Sequence, residues 1–224
     1  MYCGNLEVTM VIAAAGVGKR MGLGYPKQFL EYKEKPLFIY PLEVAQNNST
    51  IDKIVIATNK ENIELVKKIC KKYKIFKVTD VIAGGKERQD SIYNALQYVN
   101  GDIVIVQDGV RPFLKDRYIT ECCKVVAEDN IGAAVGVKVK DTIKEINENM
   151  EIVVTPKRDK LIAIHTPQVF KVEILKKAYS QAKKENFLGT DDASLVERMG
   201  EKVRVIIGDY DNIKITTQED IKYL

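Results

Sequence analysis

Short apolar runs and longer stretches of helical spacing alternate along most of the chain. Residues 8–12, rich in β-branched side chains, predict a buried strand. Residues 37–46, opened by Pro36, predict a helix, and residues 54–58 a second strand. Asn59 is placed to cap a helix running to about Tyr73, with Ile63, Val66, Ile69 and Cys70 on one face. A strand at 77–82 ends in Gly84-Gly85, and a helix at 88–99 follows. The fully apolar stretch 103–106 predicts a strand ending in Gln107-Asp108-Gly109-Val110-Arg111-Pro112, then a helix at 118–128 and a strand at 133–139. Strands separated by helix-length segments predict an α/β fold, a mostly parallel sheet with helices on both faces. Loops at the carboxyl ends of such strands form the binding crevice, and Gly16, Gly85 and Asp108 all fall there.

The rhythm then breaks. Residues 140–154 alternate weakly around the polar turn Asn147-Glu148-Asn149 and predict a β-hairpin. A lone two-stranded hairpin is marginal in water, so this arm (about residues 140–156) is expected to pack on a second copy of the chain. From Ala163 the pattern resumes with a strand through His165 and a helix at about 173–185. Thr190 is placed to cap a short helix to Met199, residues 203–207 predict a strand, and Thr216-x-x-Glu219 reads as a capping box for a last helix. With no internal repeat, low-complexity tract or linker, residues 1–224 are expected to form one domain.

Composition narrows the function classes. No apolar run approaches the roughly 20 residues of a membrane span. The amino terminus lacks a basic-then-apolar signal, so a cytoplasmic protein is expected. A net charge of +4 is too mild to argue for nucleic acid. The cysteines Cys3, Cys70, Cys122 and Cys123 form no C-x-x-C pair, which argues against zinc and for reduced thiols. His165 is the sole histidine and stands apart from the nucleotide-type loops; it is expected to be structural.

The first loop, Ala13-Ala14-Ala15-Gly16-Val17-Gly18-Lys19-Arg20-Met21-Gly22, running on to Pro26-Lys27-Gln28, carries the chemistry. Small residues and glycines at a strand's end let backbone N–H groups close round an anion. Arg20 and Lys27 then arrive where a polyphosphate needs cations. A P-loop would place a hydroxyl where Arg20 stands, and a dinucleotide fingerprint a glycine where Met21 stands. Both fail at those positions, and Arg20 and Lys27, with Pro26 fixing the backbone beside the lysine, favour a nucleoside triphosphate loop over a plain strand-to-helix turn with solvated basic residues.

At this point the motifs match a family. A-A-A-G-x-G-x-R-M-G with P-K-Q, then G-G-K-E-R-Q-D-S, D-G-V-R-P, K-D-T, H-T-P-Q, T-D-D-A-S and D-N-I-K-I-T together resemble the 2-C-methyl-D-erythritol 4-phosphate cytidylyltransferases of the nonmevalonate isoprenoid pathway. The resemblance runs in order from about Val8 to Asp220. It implies a Rossmann-like fold of nucleotidyltransferase type, CTP as substrate, a magnesium requirement, and attack by the acceptor's phosphate on the α-phosphorus with loss of pyrophosphate. A phosphate monoester is already a dianion near neutral pH, so that attack needs fixed cations more than a general base.

Carried over by position, the resemblance assigns Arg20 and Lys27 to the transition state, with Arg158 and Lys214 completing the catalytic set. Backbone at Ala14, Ala15 and Gly16 is expected at the nucleotide, with Gly18 permitting the turn and Gly85 and Ser91 around cytosine and ribose. Asp108 matches the magnesium ligand, and Arg111, Thr142, Arg158, Thr166 and Lys214 match positions holding methylerythritol phosphate. In the family, Thr142 and Arg158 reach across from the partner subunit's arm, making a homodimer. Asp191 and Asp192 read as acids in a helix's first turn. Lys86 and Gln107 depart from the family's more usual acid and histidine, and Gly109-Val110 from its alanines. A ribitol-5-phosphate cytidylyltransferase and a non-catalytic CTP-binding module are the alternatives; the former tends to carry L-A-G-G where this chain has Ala13-Ala14-Ala15-Gly16.

Overall fold

The computed structural model describes Gly4, residues 6–16 and residues 25–224. Its elements run β1 (Val8–Ala14), β2 (Glu31–Tyr32), β3 (Lys35–Pro36), α1 (Ile39–Asn47), β4 (Lys53–Thr58), α2 (Ile63–Lys72), β5 (Val78–Ala83), α3 (Arg88–Leu96), β6 (Ile103–Asp108) and α4 (Asp116–Asp129). They continue as β7 (Gly132–Lys138), β8 (Glu145–Ile146), β9 (Ile152–Val154), β10 (Ile162–Lys171), α5 (Val172–Lys184), α6 (Asp192–Arg198) and β11 (Val203–Ile207). Seven strands form the main sheet in the order β11-β7-β10-β6-β1-β4-β5.

Side-chain alternation on these strands builds two cores. Met10 and Ile12 of β1, with Ile54, Ile56 and Ile105, face α1, α2 and α4. Val11, with Val55, Val104 and Val106, faces α3, α5 and α6. Both faces are therefore covered, which is why the central strands read as near-continuous apolar runs. Truncating Met10, Ile12, Ile54, Ile56 or Ile105 to alanine costs about 2–5 kcal/mol.

Every neighbouring pair in this sheet is parallel except those made by β10, which runs antiparallel to both β6 and β7. The cause is the connection. β7 and β10 are joined through the arm without a helical crossover, so the chain must return in the opposite sense. Two consequences follow for function. The arm leaves the sheet at the carboxyl edge of the parallel strands, and the amino end of β10 lies beside the carboxyl end of β6. Sequence pattern stopped the strand at His165, whereas it runs to Lys171 through Pro167 and Gln168.

Smaller differences have local causes. Pro36 sits in β3 of a two-residue hairpin whose turn, Lys33 and Glu34, has positive φ at both positions, so the helix starts only at Ile39. Asn59 makes no side-chain cap; a 3-10 turn at Lys60–Asn62 precedes α2. Asp191, not Thr190, caps α6 by accepting from Ser194 N–H at 2.9 Å. The carboxyl-terminal box uses Thr217 and Asp220, and the segment is a 3-10 turn, Gln218–Tyr223. Leu37 and Ile215 form a small buried cluster with Leu30, Tyr32, Ile213 and Ile221, which holds the tail against the segment after Lys27.

Candidate active site

Parallel registry places the ends of the central strands together. Ala13 of β1 pairs with Asp108 of β6, and Gly109 N–H donates to Ala13 O at 3.0 Å. The Ala14 carbonyl accepts from the buried Gln28 Nε2 at 2.6 Å and from Thr58 Oγ1 at 3.3 Å. Gln28 thereby ties the Pro26-Lys27 segment to the end of β1. Gly84 and Gly85, after β5, close on the same edge: a Cβ on Gly84 would stand 2.5 Å from Ala15 Cβ and 2.7 Å from Ser91 Oγ. Ser91 accepts from Gly85 N–H and donates to Glu87 O, both at 3.0 Å, so its hydroxyl shapes the loop.

Asp108 is the centre of the edge, 4% exposed. Its Oδ1 accepts from Arg88 Nε at 3.0 Å, its Oδ2 from Lys214 Nζ at 2.8 Å, and Arg111 Nε lies 3.6 Å from Oδ2. Burial alone would raise its pKa, but Arg88, Lys214 and Arg111 together override that and hold the carboxyl well below the usual range. Asp108 N–H donates to Thr166 Oγ1 at 3.1 Å, a contact available because β10 is antiparallel. Arg111 donates to Asn212 O at 2.7 Å, and Asn212 Nδ2 donates to Thr166 O at 3.0 Å.

The structure thus brings Asp108, Arg111, Thr166 and Lys214 into one cluster beside Ala14. Lys27 lies on the neighbouring tail side, where burial raises the pKa of Asp220 but the Thr217 and Thr216 N–H groups, the Thr217 hydroxyl and the Lys27 charge together bring it below the ordinary value. Thr142 and Arg158 are exposed on the arm, and Arg158 donates to Lys140 O at 3.0 Å instead of joining the cluster. Gly18 and Arg20 lie outside the described residues.

Among the described residues, the buried side-chain atoms without a hydrogen-bond partner are Gln107 Oε1, Arg111 Nε, His165 Nδ1 and Asn212 Oδ1. All belong to residues at or next to this cluster, where buried polar groups left unpaired mark a place built for something else. No group of three or more His, Cys, Asp or Glu side chains among the described residues could hold a metal. An ionised, buried Asp108 nonetheless suits magnesium, which takes one or two carboxylates and completes its shell with phosphate oxygens and water.

The family profile described as IspD, 2-C-methyl-D-erythritol 4-phosphate cytidylyltransferase, matches residues 8–223. The chain belongs to that family. A Fusobacterium nucleatum protein of the same name is 54% identical over the full length of both chains. One from Alkaliphilus metalliredigens is 44% identical, covering 96% of this chain and 90% of its own. The solved 4-diphosphocytidyl-2C-methyl-D-erythritol synthase from Anaerococcus prevotii superposes with a TM-score of 0.88 at 30% identity, covering 99% of this chain and 96% of that one.

Within this cytidylyltransferase family the chain's departures are accommodated. Lys86 is exposed, so its side chain leaves the loop backbone intact. Gln107 is buried and its Nε2 donates to Asp108 O at 3.1 Å, bracing the strand end. Sequence reasoning missed Arg88 and Asp192 as members of the site. Arg88 Nη2 donates to Asp192 Oδ2 at 2.8 Å while its Nε holds Asp108. The signal was present: Arg88 is the first residue of α3, where a cation opposes the helix dipole unless carboxylates hold it.

Proposed function

We propose that this chain transfers a cytidylyl group from CTP to the phosphate of 2-C-methyl-D-erythritol 4-phosphate, giving 4-diphosphocytidyl-2-C-methyl-D-erythritol and pyrophosphate. The observation that carries the reading is the buried Asp108 surrounded by Arg88, Arg111 and Lys214, beside the end of β1, in a chain that matches the family over nearly its whole length. The acceptor's phosphate oxygen forms a bond to the α-phosphorus, and the α–β bridging bond breaks, its electron pair leaving with pyrophosphate. No proton needs to move. Asp108 stays ionised at neutral pH, and burial, aided by Arg111, pushes His165 down to about 4, so it carries no charge there. The work falls to positive groups already gathered at the strand ends, which stabilise charge in a crowded transition state.

Backbone at Ala14, Ala15, Gly16 and Gly18 receives the nucleotide, with Gly85 and the Ser91-shaped loop around cytosine and ribose. Arg20 and Lys27 take the charge at the α-phosphorus. Arg111, Thr166 and Lys214 hold the acceptor phosphate, and Lys214 and Arg111 turn from Asp108 to it. Asp108, with the triphosphate, would hold magnesium, which would supply charge neutralisation at the phosphates. The arm supports a homodimer: Ile146, Met150, Ile152, Val153 and Val154 stand exposed on it and need cover. Thr142 and Arg158 then enter the partner's site. The chain is read as one nucleotidyltransferase domain acting in the cytoplasm, which suits the unbridged Cys70, Cys122 and Cys123.

Pyrophosphate release from CTP and magnesium, measured in parallel with methylerythritol phosphate, ribitol 5-phosphate and no acceptor, tests the assignment. Turnover is expected with the first. Faster turnover with ribitol 5-phosphate would move the chain to the CDP-ribitol reaction, and CTP binding without release from either would make it a binding module.

A further inference from the structure

Arg88 differs from the other cations around Asp108. Lys214 Nζ meets Asp108 Oδ2 alone among the carboxylates recorded for it, and Arg111 spends a terminal nitrogen on the Asn212 carbonyl. Arg88 spans two acids, Asp108 through Nε and Asp192 through Nη2. Asp192 is itself fixed. It is 0% exposed, stands in the first turn of α6, and its Oδ1 accepts from Tyr179 Oη of α5. The start of α6 is tied to β10 by Gln168, whose Oε1 accepts from Ala193 N–H at 2.8 Å and whose Nε2 donates to Asp191 Oδ2 at 2.8 Å. A continuous chain of charge-assisted contacts therefore runs from the back of the sheet to Oδ1 of the central carboxylate. Arg88 keeps 29% of its side chain exposed, lining a cleft of about 130 Å³ with Glu87, Gln89, Gly189, Thr190 and Asp191.

We propose that Arg88 is a positioning residue, held by Asp192 and Tyr179, that pins Asp108 through Oδ1 and leaves Oδ2 as the face from which Lys214 and Arg111 turn to the acceptor's phosphate. The division is geometric. A carboxylate shared by cations that all move would reorient whenever one of them left. With Oδ1 clamped by a guanidinium that is itself clamped, the plane of the carboxyl stays put while Oδ2 changes partners. An arginine suits this because its planar fork reaches two acids at fixed angles, which a lysine ammonium cannot. A buried ion network adds little net stability over apolar packing, so geometry is what this one contributes under the proposal.

The inference rests on the cytidylyltransferase reading, and its test separates the two. Arg88→Lys preserves charge and removes the bridge; Asp192→Asn removes the anchor without touching any group assigned to substrate. Each is expected to lower kcat by about 10-fold to 100-fold, the scale of a small misplacement, with KM for CTP within about threefold. Calorimetric CTP affinity is expected to stay within about threefold too, showing that the nucleotide loops remain formed. The double variant is expected to lose about as much kcat as either single one, because the chain of contacts is broken once. Should Asp192→Asn fail to fold, Tyr179→Phe carries the test, with an expected kcat loss of about 3-fold to 10-fold at unchanged CTP affinity. Wild-type kcat in Asp192→Asn, multiplicative losses in the double variant, or lost CTP affinity at unchanged kcat would each overturn the positioning role. A wild-type chain releasing no pyrophosphate would instead defeat the reading beneath it.

Discussion

His165 has no part in the proposed chemistry but reports on the fold. Its Nδ1 is buried without a protein partner, and burial, then Arg111, lowers its pKa from 6.5 to about 4. The unfolded chain takes up this proton near the ordinary value, while the folded chain resists it until about pH 4. Between those limits the unfolded state binds more protons, so stability declines as pH falls through the window. Because His165 is the only histidine, the effect is separable from the carboxylates, which titrate mostly lower. Melting temperatures measured from pH 7 to pH 4 are expected to fall more steeply for the wild type than for His165→Gln, which cannot titrate. Parallel curves would place the ring in contact with water in the folded state. Asp108 adds its own loss only further down, since its pKa lies below the usual carboxylate range, the three cations outweighing burial.

At the level of elements, the site depends on how closely two strand-end loops approach. The loop after β5 reaches the end of β1 only because Gly84 has no side chain: a Cβ there would stand 2.5 Å from Ala15 Cβ and 2.7 Å from Ser91 Oγ. Gly84→Ala must push the loops apart or displace Ser91, whose hydroxyl accepts from Gly85 N–H. The expected result is a rise in KM for CTP of about 10-fold or more with kcat at saturation less affected, since uniform binding is what is lost. Steady-state kinetics over a CTP range checks this, and an unchanged KM would mean the nucleotide does not use that junction. Much of this edge was legible in sequence because glycine at a strand end has few other purposes, and Gly16, Gly85 and Asp108 were each placed there from pattern. What was not legible is β10. Its polar Gln168 and its Pro167 break the apolar run, and nothing local reveals that a strand reached through an arm must come back antiparallel. Since Thr166 meets Asp108 only by that reversal, its place in the cluster followed from resemblance, not from pattern. Arg88 and Asp192 escaped for a similar reason: 104 residues separate the partners of that bond.

For the whole molecule, the decisive question is how many chains make one site. Asp108, Arg111, Thr166 and Lys214 converge within a chain, while Arg158 donates to Lys140 O at the root of an arm whose apolar side chains face outward. The arm leaves from the sheet edge that carries the cluster, so a two-fold partner docking on it would meet the cluster with the partner's own arm, as an isologous interface requires. Lys27→Ala alone is expected to lower kcat by about 10²-fold to 10³-fold, the scale of one lost transition-state contact. Arg158→Ala is expected to be similarly deficient. Co-expressed, the two chains are expected to assemble mixed dimers in which one site draws Lys27 from one subunit and Arg158 from the other, both intact, while the second site lacks both. With random pairing, about a quarter of wild-type turnover is expected to return, far above either variant alone. If Lys27 and Arg158 served the same site from the same chain, every site in the mixture would lack one of them, and turnover would stay at the level of the single variants. Size-exclusion of the mixture, confirming dimers throughout, removes the remaining escape, that the two variants never met.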